Sequence, residues 1–143
     1  MIAPRSLSLA ELTEGMSHAR DYTITPEVYR HFLAAFDDRS PIHVDAAAAR
    51  ARGFPDLVMH GGILNGFVSH FVGMEFPGAH SLLLSTELRF SHPTHLGDTL
   101  RLESRVERIV VSQQVVLLHV RFLNLNRQNL AATGRVQVRI SPA

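Results

Sequence analysis

The chain contains no cysteine, and that absence removes disulfides, thiolate catalysis and cysteine-based zinc sites together. It also lacks a dominant charge: 14 Lys and Arg stand against 13 Asp and Glu, leaving a formal net charge of +1. These charges are interspersed along the chain and do not form the basic stripe that neutralises phosphates, so nucleic acid is not an expected partner. No run of about 18 apolar residues occurs, so no membrane partner is expected either. The opening MIAPRSLSLAELTEG has no continuous apolar segment behind a basic start, and a cytoplasmic protein is the simplest expectation. Internal repeats, low-complexity tracts and linkers are missing as well. What is present is a globular composition, 45% hydrophobic and 19% charged, over 143 residues. That length suits one domain, residues 1–143, with a single core.

Along the chain, residues 1–13 read as an arm with one short helical turn. Met16 to Ile24 reads as a first strand. Thr25-Pro26-Glu27 then starts a helix, because Thr caps free N–H groups, Pro suits the first helical position and Glu complements the dipole. Val28, Phe32, Leu33 and Phe36 share one face of that helix, and the face is expected to pack on the core. Pro41 restrains Ser40, so Asp38 to His43 is expected to be a turn. Asp45 caps a second helix, Ala46 to Arg52, which Gly53 ends.

Gly61 to about Gly73 forms the most apolar helix, with Ile63, Leu64, Phe67, Val68, Phe71 and Val72 on nearly all sides. That distribution predicts a helix wrapped by a sheet. Phe67, Phe71 and Phe76 are read as core, and His70 as a core or dimer-interface histidine. Four strands follow: Ser81 to Phe90, Thr99 to Ile109, Gln114 to Leu125 and Ala131 to Ile140. The plan is α+β, an antiparallel sheet curled around one helix. The third of these strands is apolar on both faces, and self-association is expected because the last long strands are too hydrophobic on both faces for a small monomer to cover.

Two short segments carry chemistry. Asp38 and His43 flank the Pro41 turn, and a carboxylate beside an imidazole can take and return a proton near neutral pH. A structural alternative is equally concrete: Asp38 closes the turn and His43 satisfies a loop carbonyl. His60-Gly61-Gly62 opens the apolar helix. Glycines there leave backbone N–H groups unshielded, aimed by the dipole at an approaching carbonyl oxygen. They could instead serve only to let the helix approach the sheet. His92-x-x-His95 has no clustered carboxylate and is read as two surface histidines, not a metal site.

Asp38-Arg39-Ser40-Pro41-Ile42-His43, then Met59-His60-Gly61-Gly62, then Phe90-Ser91-His92-Pro93 with Gly97-Asp98, resembles the MaoC-like, (R)-specific enoyl-CoA hydratases. Their pattern is D-x-N-P-[LIV]-H, H-G at a helix start, and F-x-x-P-x-x-x-G-D. The resemblance spans roughly residues 20–140. It implies a hot-dog fold, usually homodimeric, that adds water reversibly to a trans-2-enoyl thioester of coenzyme A with no metal or organic cofactor. It also implies that Asp38 and His43 are the catalytic pair, supported by the Ser40-Pro41 turn, and that the Gly61 N–H binds the thioester oxygen. Two positions depart from the pattern: Ser40 replaces the usual Asn, and Asp37 stands where Gly is common. Thioester hydrolysis on the same fold, or a non-catalytic acyl-thioester-binding subunit, are the alternative functions.

Overall fold

The computed structural model describes residues 1–142. A 3₁₀ turn at Leu9–Glu11 sits in the N-terminal arm, where the Ser8 N–H donates to the Glu11 carboxylate at 2.7 Å. Strand β1 (Ser17–Thr23) leads to helix α1 (Pro26–Phe36), whose first turn is capped by Thr25 Oγ1 accepting from the Val28 N–H. Helices α2 (Pro41–Val44) and α3 (Ala46–Ala51) follow. The expected turn after Pro41 is thus one helical turn, because Pro at the first helical position has no N–H to satisfy and a preset φ. Asp45 caps α3 through the Ala47 and Ala48 N–H groups, as its position predicts.

Helix α4 (Gly61–His70) continues into a π-helical turn at Phe71–Glu75. Strands β2 (Ser81–Phe90), β3 (Thr99–Val110), β4 (Val115–Asn124) and β5 (Asn129–Ile140) complete one antiparallel sheet in the order β1-β3-β4-β5-β2. The meander β3-β4-β5 forms the centre, and β1 and β2 are its two edges. Period-two alternation decides which side faces the helix. Leu100, Leu102 and Val106 of β3, Val116, Leu118 and Phe122 of β4, and Val136, Val138 and Ile140 of β5 are all buried.

Against that inner face α4 packs Ile63, Leu64 and Val68, and its π-helical extension adds Phe71 and Val72. Burial of such side chains contributes roughly 1.5–3 kcal/mol each before entropy is subtracted. The helix is not surrounded, however. Gly62, Asn65, Gly66 and Ser69 form an exposed face, and Phe67 is only partly buried. α1 lies beside this face and also departs from expectation: none of its residues is fully buried, and Phe36 is 70% exposed. A short helix resting on one neighbour cannot bury its whole apolar stripe, and an apolar groove of about 630 Å³ opens between α1 and α4.

The exposed apolar surface is likewise not on the last strands, where the sequence predicts it. His119 and Arg121 break the outer face of β4, whereas Leu82, Leu84 and Phe90 on edge strand β2 are about half exposed. No helix among the described residues is long and apolar enough to cross a membrane.

Candidate active site

α1 ends on Asp37, whose φ of +52° is left-handed. Glycine is favoured at such a helix end, which gives the family's usual residue there a physical reason. Asp37 turns its carboxylate to Arg39 at 2.6 Å, in solvent. Asp38 accepts from the Ser40 N–H at 3.1 Å and so closes a short Asx-type turn into α2. Ser40 makes no side-chain cap to α2, so in this turn its backbone does the work.

His43, one turn further, donates from Nδ1 to the Val58 carbonyl at 2.6 Å. A carbonyl only accepts, so Nδ1 carries a proton, and in the neutral ring Nε2 presents a lone pair. That Nε2 lies 3.9 Å from Asp38 Oδ2. Two atoms at this separation can both reach a single oxygen about 2.8 Å from each. The structural and chemical readings of the pair therefore coexist: Asp38 closes the turn, His43 satisfies a carbonyl, and the remaining atoms of both converge.

The loop from Gly53 to His60 is held on both sides. The Val58 N–H donates to the Ile42 carbonyl, and the Met59 N–H donates to Thr94 O at 2.8 Å. His95 Nδ1 donates to Leu57 O, while His92 Nδ1 donates to Leu130 O, both at 2.7 Å. His95 is buried, so only one of these two is a surface histidine. They serve separate carbonyls. Beneath them the buried Asp98 carboxylate accepts from the His95 N–H, Asn124 Nδ2 and Arg127 Nε. Asp98 thus braces the Thr94-His95 segment, which in turn holds the loop leading to the helix start, a role its sequence position alone does not disclose.

At that helix start the first N–H groups have no intrahelical acceptor. Gly61 and His43 line the same cavity, of about 330 Å³. A Cβ on Gly61 would stand 2.9 Å from the Phe90 ring, and one on Gly62 would stand 2.7 Å from Phe32. The glycines therefore admit two aromatic rings, not the sheet backbone. His60, outside the predicted pair, completes the cluster: its Nε2 donates to Asp38 O at 2.8 Å, and its ring lies tilted against His43 at 3.9 Å between centroids. One potential ligand atom from each of Asp38, His43 and His60 lies within 4.8 Å of the others. Two of the four ring nitrogens are already committed to carbonyls.

A sequence model of the MaoC like domain matches residues 9–128. The chain belongs to the MaoC-like domain family. Among its relatives in that family is the (R)-specific enoyl-CoA hydratase of Aeromonas caviae, 29% identical over 109 residues, covering 76% of this chain and 81% of the relative. The unliganded R-hydratase PhaJ1 from Pseudomonas aeruginosa superposes with a TM-score of 0.88 at 26% identity, over 98% of this chain and 89% of that one. The (R)-hydratase from A. caviae, involved in PHA biosynthesis, gives 0.83 at 26% identity, over 91% and 98%. These MaoC-like relatives share the sheet curled around a central helix, and the hot-dog fold expected from the sequence is the one observed. Some structural relatives are heteromeric, among them the ChsH1-ChsH2 complex from Mycobacterium tuberculosis, 20% identical with a TM-score of 0.78.

Proposed function

We propose that this MaoC-like protein is a hydro-lyase that adds water reversibly to a trans-2-enoyl-CoA, giving an (R)-3-hydroxyacyl-CoA. The observation that supports it best is the convergence of Asp38 Oδ2 and His43 Nε2, 3.9 Å apart, beside the cavity that Gly61 lines. A water held by both atoms is oriented by the carboxylate and gives up a proton to the pair. Its oxygen bonds to C3, and electron density moves through C2 to the thioester oxygen, where the Gly61 N–H and the helix dipole receive it. The pair returns a proton to C2 on the same face, and the double bond is consumed. The addition balances with water alone and calls for no cofactor. Neither departure from the family pattern removes a reacting group: Asp37 is engaged with Arg39, and Ser40 uses its N–H.

The protein in this reading is a cytoplasmic homodimer. The dimer is supported by the half-exposed leucines of β2, an edge strand with unpaired backbone on one side.

Purified protein is expected to consume the enoyl absorbance of crotonyl-CoA or a longer enoyl-CoA. Asp38→Asn and His43→Gln are each expected to lower kcat by about 10²- to 10⁴-fold. Full activity in both variants would overturn the assignment. Free thiol release would point to a thioesterase, and tight acyl-CoA binding without turnover to a binding subunit.

A further inference from the structure

His60 is 2% exposed and caps α4 only in position, since its side chain makes no cap bond to the helix. Its ring instead turns toward the Asp38–His43 turn. One face lies tilted against His43, with ring planes 31° apart, and Phe32 at 4.7 Å and Tyr29 at 6.1 Å also pack against it. Its Nε2–H holds the peptide carbonyl of Asp38, so in the neutral ring the remaining nitrogen, Nδ1, carries a lone pair. That Nδ1 is buried without a hydrogen-bond partner among the described residues. A polar atom left so is costly, and a residue serving only packing would have no use for it.

Resting on the hydratase reading, we propose that His60 is a positioning residue: one imidazole, in the Nε2–H tautomer, that sets where Asp38 and His43 stand relative to each other. Asp38 needs such a tether. Its side chain is about half exposed, and it lies between two helices, outside the hydrogen bonds of either. Within its own turn only the Ser40 N–H holds its carboxylate. His43 is fixed at Nδ1 by Val58 and at its carbonyl by the Tyr29 hydroxyl, at 2.6 Å each. Its ring plane is fixed by the His60 face. The same ring thus bounds both members of the pair. It connects them to Gly61, the next residue in the chain.

Two variants separate the two contacts. His60→Phe keeps a ring against His43 and loses the donor to Asp38, whereas His60→Gln keeps a donor near the Nε2 position and loses the ring. For His60→Phe we expect kcat to fall about 10- to 100-fold with KM changed less than about threefold, since misplacing a catalytic group by an ångström costs turnover on this scale. His60→Gln is expected to recover part of the loss, because it restores the donor to Asp38 but not the ring against His43. Urea unfolding of each variant separates this from stability. Independently of turnover, ¹⁵N spectra of the free protein at neutral pH should show His60 protonated at Nε2 and not at Nδ1. The His43 ring signals should shift in His60→Phe.

Wild-type kcat in His60→Phe, an Nδ1–H tautomer, or losses in both variants that only follow lost stability would overturn the proposal. Should the wild type hydrate no enoyl-CoA, the hydratase reading falls, and the spectra still decide whether His60 sets the pair.

Discussion

Asp37 shows how a single residue separates backbone need from chemistry. It occupies a left-handed conformation in which an L-residue is strained by roughly 1–2 kcal/mol, partly relieved for Asp. Its ion pair with Arg39 is solvent-exposed and contributes at most about 1 kcal/mol. Asp37→Gly is therefore expected to raise stability by up to about 1 kcal/mol in urea titrations while leaving turnover within twofold or so. A large loss of activity would mean that the Asp37 carboxylate takes part in the reaction after all. Gly61 is the converse case, where the missing Cβ matters less for φ than for the Phe90 ring lying over it.

At the scale of elements, α4 is what the sheet curls around. Leu64 is 1% exposed, and Leu64→Ala is expected to cost about 2–5 kcal/mol, read from the unfolding midpoint at unchanged slope. A cost below 1 kcal/mol or so would mean that the helix packs less tightly than its burial indicates. At the far end of α4, His70 Nδ1 is hydrogen-bonded to the Tyr22 hydroxyl at 2.9 Å. The Tyr22 phenol is pushed up to about 12, mainly by burial and against the pull of Arg20. Beside it Arg20 pairs with Glu75 on the π-helical turn, and His18 stacks on Phe76 and lies tilted against Phe71. His18 also lies 3.4 Å from Glu75, but that carboxylate is shared with Arg20, and Arg5 stands on its other side.

Partial burial of the ring first and neighbouring arginines second hold both histidines below their ordinary value, His70 being the more exposed of the two, with Arg20 acting on each and Arg5 also on His18. The folded protein then binds fewer protons than the unfolded chain in the window just under 6.5. Stability is consequently full above that value and falls as the pH drops through the window. Urea midpoints between pH 7.5 and 5.5 should decline, and His70→Gln should flatten the decline. A midpoint that rises toward pH 5.5 would contradict the sign.

For the whole molecule, the apolar edge of β2 and the open face of α4 are the surfaces a monomer leaves uncovered. Sedimentation is expected to show a dimer at micromolar concentration, and Leu84→Lys on β2 to shift it toward monomer, since a charge on an edge strand blocks pairing. Wild-type protein that sediments as a monomer would remove the dimer from the reading.

Much of this was legible in the chain, because it rests on short-range rules. Alternation in Leu100-Arg101-Leu102-Glu103 determines a strand and its inner face, Thr25 and Asp45 determine helix starts, and the D-x-x-P-x-H and H-G segments determine where polar groups gather. Three things needed the tertiary structure. The pairing of β2 with β5 and not β3 depends on a crossover that no local pattern encodes. The open face of α4 depends on how little of it α1 covers. The meeting of Asp38, His43 and His60 depends on loop 53–60 being pinned from Ile42, Thr94 and His95, through hydrogen bonds that span up to 38 residues of sequence. Sequence determines which groups are available and roughly on which elements. Long-range hydrogen bonds decide which nitrogen faces which carboxylate, and the chemistry depends on that.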